Sequence, residues 1–279
     1  MIAGDPEAAH DLLRPALDLM AASVRRYGGT VNRVTGDGVM ALFGAPAAME
    51  DYVLAACCAA LATQAEMPAA APGIMVRIGI HAGGVVIYPV RPDGAPGLDA
   101  AGEVVHLAAR LEKAAEPGTI LVSPAVARAG QGRITVLPLG PRALPGLPAP
   151  VDVFVLDAAA PDLTRLEAAG AAALAPFTGR AYEREMLAET VAEARAGRGL
   201  ALALVGDAGI GKSRLMREFV HDDASGMTVH EARCLRWRDT VGFHPLKPVL
   251  RALLLLDAAE DSGALAARVA AAQSGWNGA

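Results

Sequence analysis

Between Leu12 and Val24 the apolar residues Leu12, Leu13, Ala16, Leu17, Met20 and Val24 return every three or four positions, the stripe of a helix with one buried face. Asp5 can cap this helix, Pro6 fits its first position, and Gly28 and Gly29 end it. Pro15 lies inside the run and is expected to bend the helix or delay its start. The period then changes: "TVNRVT" and "GVMALFG" predict two strands joined at Gly36-Asp37-Gly38, a strong hairpin signal. "MEDYVLAACCAALATQ" predicts a second helix, and "IMVRIGIHAGGVVIY" a strand pair interrupted by glycines. "EVVHLAARLEKAA" predicts a third helix with Val104, Leu107, Ala108 and Leu111 on its buried side, followed by the strand "TILVS".

The Pro- and Gly-rich stretch "PLGPRALPGLPAP", residues 138–150, is read as a loop leading to a last strand, "VDVFVLD". The pattern divides the chain into a front unit, 1–157, an alanine-rich linker, 158–175, and a rear unit, 176–279. The rear unit opens with "FTGRAYEREMLAETVAEA", then an apolar strand, Leu200–Val205, a glycine-rich loop and a helix-forming "RLMREFV". Further on, "PLKPVLRALLLLDAAED" spaces Val249, Leu250, Leu253, Leu254 and Ala258 helically, which argues against a strand ending at Asp257. No repeat of fixed period is present. The fold class is α/β (α+β), two units in tandem.

Composition narrows the setting. The chain is 53% hydrophobic with 4% aromatic residues, and its formal charge of −5 argues against a nucleic-acid partner. "RCLRWR", with Arg233, Arg236, Trp237 and Arg238, is accordingly read as a solvated surface segment. Cys57, Cys58 and Cys234 form no metal-binding or disulfide spacing, which fits a reducing cytoplasm. Asp5 and Glu7 stand where a leader peptide would be basic, and no apolar run is expected to reach membrane-spanning length.

"GDAGIGKS" carries the first explicit chemistry. Gly206, Asp207, Ala208, Gly209, Ile210, Gly211, Lys212 and Ser213 satisfy G-x-x-x-x-G-K-[ST] in full, between an expected strand and an expected helix. Glycines let backbone N–H groups curl around phosphate oxygens, and the helix N-terminus adds partial positive charge. Lys212 would neutralise the outer phosphates of ATP and Ser213 would ligate Mg²⁺. The alternative, a chance glycine-rich turn, would lack these flanks.

Asp37 taken alone is well explained as a turn residue, because Asp-Gly suits hairpins. The order of pieces around it adds more. "YGGTVNRVTGDGVMALFGAP", "VRIGIHAGGVV", "GEVVHLAARLEKAAEPGTILVS" and "ALPGLPAPVDVFVL" together resemble the class III nucleotide cyclase catalytic domain over roughly residues 5–157. "PFTGRAYEREML" and "LALALVGDAGIGKSRLMREFV" resemble the opening of the AAA/STAND-like ATPase modules fused behind such domains.

The resemblance implies a ferredoxin-like sheet with helices on one face, here without its opening strand, and a homodimer with active sites between subunits. It implies closure of ATP or GTP to a 3′,5′-cyclic nucleotide with two Mg²⁺ or Mn²⁺ ions held by two aspartates. Asp37 matches one of them; the other belongs to the opening strand. Asp99 matches the aspartate that accepts from an adenine amino group, and Arg33 stands at the lysine that reads the base, with a larger, forked side chain. Arg110 matches the arginine that steadies the transition-state phosphate, and His106 replaces the asparagine that orients the ribose. Each has a plainer reading: Arg110 pairing with Glu103 or Glu112, Asp99 turning beside Gly97, and His106 as a core or interface histidine. His81 in "GIHAGG" is read as structural.

Overall fold

A computed structural model describes residues 6–90, 97–161, 163, 167–168, 175–207, 210–222, 226–232, 234, 246–253, 266 and 270. The chain divides near residue 170 into two compact units.

In the front unit the first helix, α1 (Pro6–Arg26), continues past Pro15 without a break, its start not delayed, and Asp5 lies outside the described residues. Its end is closed by backbone bonds from Gly28 N to Arg25 O (3.0 Å) and from Gly29 N to Val24 O (2.9 Å), the crossed pair that satisfies last-turn carbonyls. Ala16 of α1 packs with Met67 of the second helix, α2 (Tyr52–Ala70), and with Ala71 just past its end, whereas Leu12 is half exposed and lies off the expected buried stripe. By length and mean hydropathy (1.3 over its best window) α2 reaches the measure of a membrane-crossing helix, contrary to the expectation that no run would. Half of that window is buried inside the protein, as in a core helix.

The strands form three sheets among the described residues. β1 (Thr30–Thr35) and β2 (Gly38–Leu42) make the expected antiparallel hairpin with Asp37 in its turn. β3 (Ile78–Ile80) and β4 (Val86–Val90), expected to pair, join different sheets. β4 pairs with β5 (Gly97–Ala101), while β3 runs parallel to β6 (Ile120–Val122) in a sheet of order β3-β6-β8-β7. Here β7 is Ile134–Arg142 and β8 is Val151–Ala159. The stretch read as a loop from residue 138 therefore begins as strand. β7 is an edge strand, where Pro138 and Pro141 need not donate to a second neighbour.

Helices cover both faces of the four-stranded sheet rather than one. Ile120 and Val122 pack with Val53, Cys57 and Ala60 of α2 and with Val126 of the short helix α4 (Pro124–Ala129). Leu121, pointing the other way, packs with Leu111 and Ala115, at and just past the end of α3 (Glu103–Ala114), and with Val153. An uninterrupted Ile-Leu-Val run is what a strand buried on both sides requires.

The rear unit contains α5 (Ala181–Arg195), α6 (Lys212–Asp222) and α7 (Leu246–Leu253). Leu187, Leu215 and Phe219 form its core with Phe177, Val191 and Leu204. Leu200–Val205 was expected to be a strand, yet no ladder forms there among the described residues, and Val205 is 89% exposed. A single extended segment cannot satisfy its own N–H and C=O groups, so it becomes a strand only beside a neighbouring one. The helix expected around Val249 and Leu250 is present as α7; Leu254–Ala258 lie outside the described residues.

Candidate functional site

Asp99 is where separate parts of the front unit meet. It lies within β5 rather than in a loop turn, and its side chain is only 15% exposed. Arg33 of β1, 66 positions away, forms an ion pair with its Oδ2. Asn32 Nδ2 donates to Oδ1 at 3.1 Å, the Ala100 backbone N–H donates to the same oxygen at 2.9 Å, and the Tyr88 hydroxyl stands 3.5 Å from Oδ2. The Ala100 N–H, then Asn32, then the Arg33 charge hold the Asp99 carboxyl below the usual carboxylate range. Arg33 and Asp99 are thus brought together, with Asn32 as a third participant that sequence reading did not single out. Strict strand alternation would have sent residues 32 and 33 to opposite faces, so no local signal marked it.

Asp37 is exposed at the hairpin turn and makes no hydrogen bond or ion pair among the described residues. No group of three potential metal ligands gathers among those residues. Asp37 by itself is one carboxylate donor, and a pair of metal ions needs several, so the hairpin turn alone does not make a two-metal site.

His106 is exposed on α3 and is not a core histidine. Arg110, one turn further, has no ion-pair partner among the described residues; Glu112 pairs instead with Arg77 at 3.3 Å. The Arg110 guanidinium lies over the loop after β7, where a Cβ placed on Gly146 would come within 2.9 Å of it. No hydrogen bond or ion pair joins Asp37 to His106 or Arg110 within the chain's described residues. His81 has a partner after all: its Nδ1 lies 2.7 Å from Oγ of the fully buried Ser123, the N-cap of α4. Ser123 Oγ accepts from Val126 N at 3.4 Å and keeps both its own hydrogen and a second lone pair, so the direction of its bond with His81 Nδ1 follows the ring's tautomer. Burial lowers the His81 pKa, with the Glu103 charge opposing.

In the rear unit Lys212, the first residue of α6, folds back over the loop and donates to the carbonyls of Gly206 and Asp207, each at 2.8 Å. Ser213 is exposed beside it; Ala208 and Gly209 lie outside the described residues, as do Arg233 and Arg236–Arg238. Arg180, in the left-handed region at φ 60°, donates to Ile210 O at 2.7 Å and pairs with Glu183 at 3.0 Å. Because C=O and N–H of one trans peptide point oppositely, the Gly211 N–H points away from Arg180.

Residues 2–158, more than half of the chain, match the adenylate and guanylate cyclase catalytic domain, and residues 176–276 match the AAA ATPase domain. The chain belongs to the adenylate and guanylate cyclase catalytic-domain family, with an AAA-type P-loop domain behind it. It is 30% identical over 159 residues to Adenylate cyclase 1 of Rhizobium meliloti (strain 1021), an overlap of 53% of this chain and 24% of that protein. The overlap thus spans about a quarter of that relative's length. Among solved structures, it is similar to the adenylyl cyclase CyaB from P. aeruginosa, with 29% identity, TM-score 0.52, and 58% of this chain and 88% of that one covered. The guanylate cyclase domain of RhGC from Catenaria anguillulae, solved with GTP, shares the fold at 22% identity, TM-score 0.52, covering 56% and 87%.

Proposed function

We propose that the front unit recognises the purine of ATP through Arg33 and Asp99 and closes it to cyclic AMP. In that reaction the ribose 3′-oxygen attacks the α-phosphorus, the bond to the β-phosphate breaks, and pyrophosphate leaves. The observation that supports this reading is the convergence of Arg33 and Asp99, with the donor and acceptor that an adenine edge requires side by side. The family takes ATP or GTP as substrate and uses divalent metal ions. Asp37 is the residue of this chain that would meet Mg²⁺ or Mn²⁺, and further carboxylates are needed beside it. His106 and Arg110 would act across a homodimer, each on nucleotide held by the other copy. Cys57 and Cys58, buried without a disulfide, fit a cytoplasmic setting. The P-loop would hold a second ATP.

A second reading is supported by the described residues gathering no group of three potential metal ligands at Asp37, and by His106 at the asparagine position. In it the front unit is a catalytically degenerate dimerisation or sensor module, coupled to an ATP-dependent switch in the rear. One assay separates the two: purified chain with ATP and Mn²⁺, followed for cyclic AMP. The first reading expects slow product from ATP, less from GTP, and none from Asp37→Ala. Absence of product above a protein-free control, with ATP still bound, selects the second.

A further inference from the structure

β1 contains a bulge. Thr30 faces Leu42 and Val31 faces Ala41, but Arg33 faces Met40, leaving Asn32 as the extra residue. Successive side chains of an unbroken strand point to opposite faces. The bulge bends β1 so that two consecutive side chains reach the same carboxylate, Asn32 at Oδ1 and Arg33 at Oδ2 of Asp99. The amide orientation follows from chemistry, since an Asn32 carbonyl there would set two acceptors against each other. Both lone pairs of Oδ1 are then taken, by Asn32 Nδ2 and by the Ala100 N–H. Oδ2 is left with Arg33 and the distant Tyr88 hydroxyl.

The two strand residues also differ in freedom. Arg33 is 55% exposed and can swing away, while Asn32 is half-buried with its amide 3.8 Å from Met40 Sδ. We propose that Asn32, presented by the bulge, is a positioning residue for base recognition: it pins Oδ1 of Asp99 so that Oδ2 alone meets the exocyclic amine of adenine when Arg33 turns to the ring. This rests on the ATP reading above. Adenine offers an amine where guanine offers a carbonyl, so a fixed, charged Oδ2 favours the first and repels the second.

The test uses the full chain with Lys212→Ala, which silences the rear loop, and titrates 3′-deoxy-ATP and 3′-deoxy-GTP with Mn²⁺ by calorimetry. Neither analogue has the 3′-hydroxyl, so binding is read without turnover. Asn32→Leu should lower the adenine-over-guanine ratio of affinities about tenfold, the worth of one hydrogen bond to a charged acceptor, by weakening the adenine analogue. Asn32→Gln, which keeps the donor, should lose less. A ratio within twofold of the parent, or an equal loss for both analogues, overturns the positioning role and leaves the ATP reading standing. If the parent binds neither analogue, the ATP reading falls and this inference with it. Should Asn32→Leu not fold, Asn32→Ser, too short to reach the carboxylate, makes the same comparison.

Discussion

Asp99 and His81 show how a single ionisable group acquires a state from its neighbours. The hydrogen bonds to Asp99 favour its charged form, so it titrates below its ordinary value of 3.8. A carboxyl depressed on folding stabilises the fold above its unfolded value, and that contribution is lost as the pH falls through the lower folded one. Carbon-detected NMR of labelled aspartate should therefore find Asp99 titrating below 3.8, and Asn32→Leu should move it upward. An unmoved titration would mean that the amide does not act on the carboxyl. His81 shows the opposite logic, with burial favouring the neutral ring that the Ser123 hydroxyl can serve as donor. Ser123, read from the sequence as the end of the strand "TILVS", is the N-cap of α4, directly before a proline at the helix start. Its partnership with His81, 42 positions away, could not be read from the sequence, because neither residue type nor spacing encodes it.

At the scale of elements, close approach decides more than propensity. α3 lies so near β3 that a Cβ on Gly79 would come within 2.3 Å of both Ala108 O and Glu112 N, backbone atoms that cannot rotate aside. Gly→Ala ordinarily gains ~0.4–1 kcal/mol by restricting the unfolded chain. Here overpacking wins, and Gly79→Ala should lose about 3 kcal/mol in urea unfolding of the front unit. A neutral or stabilising result would mean that the helix stands further off. The same scale explains the misread stretch after Pro138. Proline is excluded from central strands and tolerated at an edge, but strand order is not written in the local sequence. The glycine-interrupted pair β3 and β4 was likewise visible as two strands, while their partners were set by residues 97–101 and 120–122. The bulge at Asn32 belongs here too, since only the cross-strand register reveals it.

Over the whole molecule two units carry two separate sets of chemistry, each with its own core. The Lys212 ammonium, held by two loop carbonyls, is where a phosphate oxygen would take over. ADP has the phosphates that such a loop grips. At a concentration ~100-fold above its dissociation constant it should stabilise the rear unit by about 2.7 kcal/mol. Lys212→Ala should abolish that shift in a thermal-unfolding scan while leaving the front unit's transition where it was. A shift unchanged by the substitution would remove the lysine from phosphate binding.

The linear sequence by itself determined the local and the periodic: the stripes of α1 and α3, the hairpin at Gly36-Asp37-Gly38, the strand at Ile120–Val122 and the P-loop spacing. These depend on contacts within a few residues, where backbone geometry fixes what meets what. Only the tertiary structure decided that β7 is an edge, that helices cover both faces of the sheet, and that Asn32, Arg33 and Asp99 share one set of hydrogen bonds. Those outcomes come from the packing of distant segments and from one extra residue in a strand, and a change of a single position in register sends every following side chain to the other face.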